Sequence, residues 1–157
     1  MAEYITAFID GAARFQGDER PNESASAVVI YRNRKEIVRF VRGCGNVSNN
    51  AAEYMALIDC LLICSMSSYP SPIIYTDSKL VFNQTTGLWA CRDEDLLPLY
   101  MTVQHIQKEY NFTIIHVPRS KTFVPDGLCN LFLDDLANAK AGLKKRNRNV
   151  KDDSNVR

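Results

Sequence analysis

The stretch at residues 4–10, YITAFID, constrains the fold more than any other part of the chain. Six of its seven residues suit a strand covered on both faces, and the run ends in Asp10, which Gly11 follows. Such a run is typical of a central strand with helices packed on its sheet. A carboxylate at the tip of that strand is costly to desolvate unless it is hydrogen-bonded, paired or bound to a cation. Asp10 is therefore a candidate functional residue, although a turn aspartate opening the next loop is the simpler explanation when it is considered alone.

The remaining pattern predicts the order β β β α β α α β α. A turn at residues 33–35 is short enough to join the second and third strands as an antiparallel hairpin. The fourth and fifth strands each follow a helix, so right-handed crossovers lay them parallel to the first strand. We therefore expect an α/β fold with a five-stranded mixed sheet and helices on both faces. The predicted strands are 4–10, 26–32, 36–41, 73–76 and 112–117; the predicted helices are 51–66, a short one ending near 83, 93–110 and about 125 to about 143; residues 11–24 are predicted to form a polar loop.

Length and charge indicate one domain and a basic tail. A chain of 157 residues can bury a single core, and no apolar run is long enough to span a membrane. No signal peptide is evident, so we expect an intracellular, soluble monomer without membrane contacts, and the sequence does not identify a protein partner. Residues 144–157 hold six basic and two acidic residues, so the chain's net charge of +1 leaves residues 1–143 at −3. We predict a folded domain over 1–143 and a disordered tail over 144–157.

Four carboxylates lie at the ends of predicted elements. If the fourth strand pairs with the first, Asp10 and Asp77 meet at the carboxyl edge of the sheet, where such folds place ligands. Glu53 shares a helical stripe with Leu57 and therefore points towards the core, and Asp126 starts the last helix. Each has a simpler explanation alone: the helix dipole favours Glu53, and helix capping explains Asp77 and Asp126. Together they predict a shared acidic site.

The ordered segments around these carboxylates resemble the four blocks of type 1 ribonuclease H. The segments are FIDGAAR (8–14), NNAAEYMALIDCL (49–61), IIYTDSKLVFNQTTG (73–87) and HVPRSKTFVPDGLCN (116–130). They are most similar to the branch with HVPR-type endings, which occurs in archaea, bacteria and plants. The resemblance extends from residue 4 to about residue 138. It implies a ribonuclease H-like catalytic domain over residues 1–143.

The resemblance also implies a reaction and its catalytic residues. Members of this family cut the RNA strand of RNA–DNA hybrids with two Mg²⁺ ions, for which Mn²⁺ often substitutes, and leave 5′-phosphate and 3′-hydroxyl ends. Asp10, Glu53, Asp77 and Asp126 match the metal-binding set, with Asp10 bridging both ions. Asp77 would complete the coordination of the ion near the nucleophile, and Glu53 and Asp126 would complete that of the other ion. His116 matches a loop histidine that shuttles a proton or aids product release; a histidine that merely closes the fifth strand is the alternative.

Five further residues match substrate contacts of the family. Asn49 and Asn50 correspond to residues that touch the minor groove of the hybrid, where the 2′-hydroxyls distinguish RNA from DNA. Lys79 is placed to reach a phosphate, and Ser48 with Arg42 to hold a phosphate of the DNA strand. The resemblance thus implies an RNA–DNA hybrid duplex as the partner.

Two departures from the family pattern leave other functions open. Residues 15–26 contain a single glycine, Gly17, where the family has a glycine-rich run. Thr122 occupies a position, four residues before the last aspartate, where the family commonly has an asparagine. A module of this fold that binds nucleic acid or protein without turnover is one alternative. A nuclease of the same fold that cuts duplex RNA or DNA junctions is the other.

Overall fold

Five strands form a single mixed sheet in the order β3-β2-β1-β4-β5. The computed structural model describes the backbone of residues 2–154 and the side chains of residues 2–151. β1 lies at the centre, antiparallel to β2 and parallel to β4, and β2 and β3 complete an antiparallel meander. β5 lies parallel to β4 at the edge. The predicted topology is confirmed. The strands are β1 (Ile5–Arg14), β2 (Glu23–Arg32), β3 (Lys35–Gly43), β4 (Ile73–Thr76) and β5 (Thr113–His116).

Helices cover both faces of the sheet, as predicted. They are α1 (Asn49–Met66), α2 (Lys79–Thr85), α3 (Leu97–Glu109) and α4 (Phe123–Ser154). On one face, α1 packs Tyr54 and Leu57 against Ile9 of β1, and α2 and α3 extend this core. On the other face, Cys129 and Leu133 of α4 pack against small residues of β2. The central position of β1 therefore follows from apolar contacts on both of its faces.

The first strand is longer than predicted. β1 continues past Asp10 to Arg14, and its register with β2 runs without interruption from Asp10↔Ala27 to Arg14↔Glu23. The prediction of a polar loop over residues 11–24 is therefore wrong for both ends of that segment. Ladder hydrogen bonds keep this part extended although its side chains are small or polar. Asp10 consequently lies inside a strand and not at its tip.

The third helix begins later than predicted. Asp93 does not start α3; its Oδ1 accepts hydrogen bonds from the backbone N–H of Asp95 at 2.8 Å and of Leu96 at 3.2 Å. An aspartate that satisfies backbone groups two or three residues ahead favours a turn. The helix therefore starts at Leu97, with Pro98 in its first turn.

The last helix is longer than predicted at both ends. It begins at Phe123, where the carbonyl of Thr122 accepts the N–H of Asp126 at 3.0 Å. It continues to Ser154, so the prediction of disorder is wrong for residues 144–154; residues 155–157 of that predicted tail lie outside the described residues. Lys, Arg and Leu favour helix continuation, and this outweighs the single Gly142. Among the helices described, none is long and apolar enough to cross a membrane.

Candidate active site

Three carboxylates from distant parts of the chain meet beside the central strand. Asp10 of β1, Glu53 of α1 and Asp77, which follows β4, each offer an oxygen that lies within 4.8 Å of those of the other two. Asp10 is 4% exposed and Glu53 5% exposed. The predicted meeting of these three residues is therefore observed. Asp77 arrives there because β4 runs parallel to β1, with Phe8 opposite Tyr75.

A glycine allows α1 to lie close enough to β1 for Glu53 to join Asp10. A Cβ added to Gly11 would lie 2.2 Å from the carbonyl carbon of Ala52 and 2.3 Å from the backbone nitrogen of Glu53. No side chain fits such a gap, so this contact requires glycine. This role of Gly11 was not predicted from the sequence. An Asp-Gly pair at a central strand was the available signal.

The acidic cluster is electrostatically unfavourable when only protein atoms surround it. Burial, and after it the charge of Asp77, raises the pKa of Asp10 to about 7. Burial also raises the pKa of Glu53 to about 10, with added repulsion from Asp10 and Asp77. Among the described residues, Oε2 of Glu53 has no hydrogen-bond partner although it is buried. A buried carboxylate oxygen without a partner indicates that something outside the protein satisfies it.

The donor set fits a divalent cation. All three groups supply carboxylate oxygen, which Mg²⁺ and related hard cations prefer. Their mutual spacing permits one ion to contact more than one carboxylate. A cation would also lower the raised pKa values, because it favours the ionised carboxylates. The cluster is therefore a site at which a divalent metal can bind.

Asp126 lies beside the three central carboxylates without joining the tightest group. It is half-buried in the first turn of α4. Its carboxyl group contributes to the raised pKa of Asp10, both through a hydrogen bond and through its charge. Cys129, one turn later, is fully buried with its Sγ 3.6 Å from the Asp10 carbonyl oxygen. The packing of α4 on β1 thus holds Asp126 close to Asp10.

Asp77 is held by His116 at the end of β5 and by two residues of the segment between β5 and α4. The hydroxyl of Thr122, which is fully buried, donates to Asp77 Oδ2 at 2.7 Å. The guanidinium of Arg119 lies 3.9 Å from the same oxygen. Nε2 of His116 lies 3.2 Å from the Asp77 carbonyl oxygen and donates to it. His116 was among the predicted site residues, whereas the contact of Thr122 with Asp77 was not predicted; the position of Thr122 four residues before Asp126 was the available signal.

The residues matched to substrate contacts lie mainly on the rim of this site. Asn49 and Asn50 are exposed at the start of α1, and Ser48 is its N-cap, accepting the Ala51 N–H at 3.1 Å. The side chain of Asn49 also accepts the Ala13 N–H at 3.3 Å, which ties α1 to the end of β1. Lys79 is exposed at the start of α2.

Arg42 has a partner inside the protein. Its Nε donates to Oδ2 of Asp59 on α1 at 2.8 Å, and Ser26 donates to the same oxygen at 2.7 Å. The Arg42 side chain remains 39% exposed. Sequence reasoning did not identify Asp59, because an aspartate within an amphipathic helix carries no local signal of its partner.

Comparisons with known proteins agree with this arrangement. A family model described as reverse transcriptase-like matches residues 10–131. A protein of Halobacterium salinarum named ribonuclease HI is 32% identical over 135 residues, which cover 83% of this chain and 65% of that relative. The chain spans 36% of the length of mycobacterial relatives that are 29% identical to it. Those relatives are thus longer than the region matched here.

Solved structures extend the agreement to the whole fold. The crystal structure of RNase H1 from Halobacterium salinarum matches with a TM-score of 0.76 at 30% identity, covering 84% of this chain and 98% of that one. LC11-RNase H1 in complex with an RNA/DNA hybrid matches with a TM-score of 0.76 at 26% identity, covering 85% of this chain and 99% of that one. By the family model, by identity and by fold, this chain belongs to the type 1 ribonuclease H family.

Proposed function

We propose that this chain is a divalent-metal-dependent endonuclease that cleaves the RNA strand of RNA–DNA hybrids. The observation that carries the proposal is the meeting of Asp10, Glu53 and Asp77 within 4.8 Å, with one buried Glu53 oxygen lacking a partner among the described residues. Membership of the family supports the reaction. The relative crystallised with an RNA/DNA hybrid supports the substrate class.

Each carboxylate has a defined place in the proposed mechanism. Two Mg²⁺ ions, or Mn²⁺ in their place, would supply an activated water and stabilise the leaving oxygen of an in-line displacement. Asp10 would be a ligand of both ions. Asp77 would hold the one near the nucleophile, and Glu53 with Asp126 the other. Products with 5′-phosphate and 3′-hydroxyl ends follow from attack on the phosphorus with departure of the 3′ oxygen.

The end of β5 and the segment that joins it to α4 orient the reacting groups. The Thr122 hydroxyl occupies one lone pair of Asp77 Oδ2 and thereby restrains rotation of that carboxylate. His116 donates from Nε2 to the Asp77 carbonyl, which leaves its Nδ1 as the ring atom able to accept or return a proton. We propose proton transfer or assistance of product release as its role.

Recognition of the hybrid would take place along the start of α1. Asn49 and Asn50 present amide groups at the exposed end of the helix that also carries Glu53. Small polar groups can read the 2′-hydroxyls in the wide minor groove of the duplex. A groove of about 540 Å³ runs past Ser48 between the starts of α1 and α3. Ser48 and Arg42 would contact the DNA strand on this side, and Lys79 a phosphate near the site.

Cleavage of a labelled hybrid, with and without Mg²⁺, tests the proposal. Wild-type protein should shorten the RNA strand only in the presence of the metal, and Asp77→Asn should lose this activity while retaining its circular dichroism spectrum. Undiminished cleavage by Asp77→Asn would remove that residue from the mechanism. Retarded migration of the hybrid without shortening would identify a binding module, and preferential cleavage of double-stranded RNA or DNA would identify a different substrate.

A further inference from the structure

The C-terminal part of α4 forms an exposed extension of the helix. Every residue from 137 to 151 is exposed, whereas the preceding turns pack on the sheet. An ion pair between Lys140 and Glu23, at the start of β2, ties the helix to the body at this point. We call residues 141–151 the basic arm. Its course is a direct continuation of the helix that carries Asp126.

The charge of the arm is of one sign. Residues 141–151 contain five basic and no acidic side chains, whereas residues 1–143 carry a net charge of −3. Four of these cations form no ion pair or side-chain hydrogen bond with the part of the chain that the structure describes. They are Lys144, Lys145, Arg146 and Arg148. The arm is therefore a run of positive charge without acidic side chains, in a protein whose residues 1–143 carry net negative charge.

A helix of this composition gains little from its own chain. Lys144 lies four residues from Lys140 and from Arg148, and like charges at this spacing destabilise a helix. Exposed helical segments without tertiary packing are marginal in water. Leu143 and Val150 are about 60% exposed, so apolar burial contributes little there. A polyanion along the arm would remove the repulsion and stabilise the helix.

We infer that the basic arm binds the phosphate backbone of a nucleic-acid duplex away from the acidic cluster. This inference rests on the proposed function, because the hybrid is the polyanion that the acidic cluster would act on. Asp10, Glu53 and Asp77 repel phosphate in the absence of metal, so positive charge elsewhere must supply much of the electrostatic attraction. Charge complementarity therefore favours the duplex as the occupant of the arm.

The length of α4 sets the distance at which the arm acts. With a rise of 1.5 Å per residue, Lys144 lies about 27 Å and Arg148 about 33 Å along the helix axis from Asp126. These distances approach one turn of duplex, about 34–36 Å. The arm should therefore affect hybrids longer than about one turn and leave shorter ones unaffected.

A charge-matched pair of variants tests the inference. The arm variant is K144Q/K145Q/R148Q, and glutamine retains helix propensity. The control is R34Q/K35Q/K108Q, which removes two lysines and one arginine from exposed positions in the β2–β3 turn and α3. Fluorescence anisotropy in EDTA measures binding to labelled hybrids of about 30 and about 8 base pairs, on either side of one duplex turn, at several KCl concentrations. EDTA prevents metal-dependent cleavage during the measurement.

For the long hybrid, the slope of log Kd against log [KCl] should fall by about 2 to 3 in the arm variant, roughly 0.9 for each phosphate that the arm no longer neutralises. The control should keep the wild-type slope, and the short hybrid should show no difference. Equal slopes for the wild type and the arm variant would overturn the inference, as would an equal decrease in the control or on the short hybrid. Binding of wild type to phosphatidylserine vesicles combined with an unchanged duplex slope would overturn it in favour of a membrane surface. Failure of wild type to cleave hybrid with Mg²⁺ would count separately against the proposed function.

Discussion

Two carboxylates on the same helix, α1, lie in very different surroundings. Asp59 is half-buried and accepts hydrogen bonds from Ser26 at 2.7 Å and Arg42 at 2.8 Å, so its carboxylate is satisfied within the protein. Glu53 has a buried oxygen with no partner among the described residues, and its pKa is raised to about 10. A satisfied carboxylate supports the fold, whereas an unsatisfied one with a perturbed pKa marks a functional site. Four predictions test this difference between the two carboxylates and the packing around Glu53 and Asp77.

The largest expected effect separates the two residues by activity. Glu53→Gln should reduce hybrid cleavage by more than about 100-fold. Replacing a residue that only supports a metal ligand lowers activity by up to about 100-fold, and replacing the ligand itself should cost more. Asp59→Asn should retain most of the activity and instead lose about 1 kcal/mol of unfolding free energy, because a partly exposed charge-assisted hydrogen bond is weakened. Steady-state cleavage and urea denaturation of both variants measure this. Similar activity losses in the two variants would contradict the contrast.

The close contact that places Glu53 beside Asp10 can be tested with two glycines. Gly11→Ala should cost about 3 kcal/mol or more, because its Cβ would lie 2.2 Å from backbone atoms of α1 that cannot move independently. Gly43→Ala is the matched control in β3, since its Cβ would meet the end of the Phe132 ring at 3.1 Å. Urea denaturation should show a much smaller loss there. Equal losses would mean that the β1–α1 approach is not unusually tight.

The metal-free protein should become less stable as the pH rises. The pKa values of Asp10 and Glu53 in the folded protein, about 7 and about 10, lie above the unfolded values near 4. The folded state therefore binds more protons, and stability falls through the range from about pH 4 to about pH 7 for Asp10, and further for Glu53. We expect the shift of Asp10 alone to cost on the order of 2–4 kcal/mol by pH 7. Thermal unfolding in EDTA measures it; Asp10→Asn should flatten the dependence, and added Mg²⁺ should reverse it.

The smallest effect concerns the support of Asp77. Thr122→Val removes the hydroxyl that donates to Asp77 Oδ2 while preserving shape, and should lower kcat about tenfold, the equivalent of one hydrogen bond of about 1.4 kcal/mol. It should also weaken Mg²⁺ binding in calorimetry. Thr122→Ser keeps the donor and should remain close to wild type. Equal behaviour of the two variants would show that Thr122 acts only through packing.

Much of the site was predictable from local patterns. The apolar run at 4–10 and the crossover rule placed β4 parallel to β1, and that placement brings Asp77 to Asp10. The helical spacing of Glu53 and Leu57 predicted that the Glu53 side chain points towards the core. The neighbours of these groups were not predictable, because contacts such as Thr122 with Asp77 or Arg42 with Asp59 join residues 45 and 17 positions apart and depend on side-chain direction.

The sequence by itself determined which elements form, their order and the edge of the sheet at which acidic residues collect, because apolar periodicity and chain handedness act locally. Only the tertiary structure decided which carboxylates are satisfied and which are not. That outcome depends on close packing, as where Gly11 admits α1, and on the partners that packing supplies to each oxygen. The end of α4 is a different case, because the helix propensity of Lys, Arg and Leu carries it past the predicted end near residue 143 to Ser154.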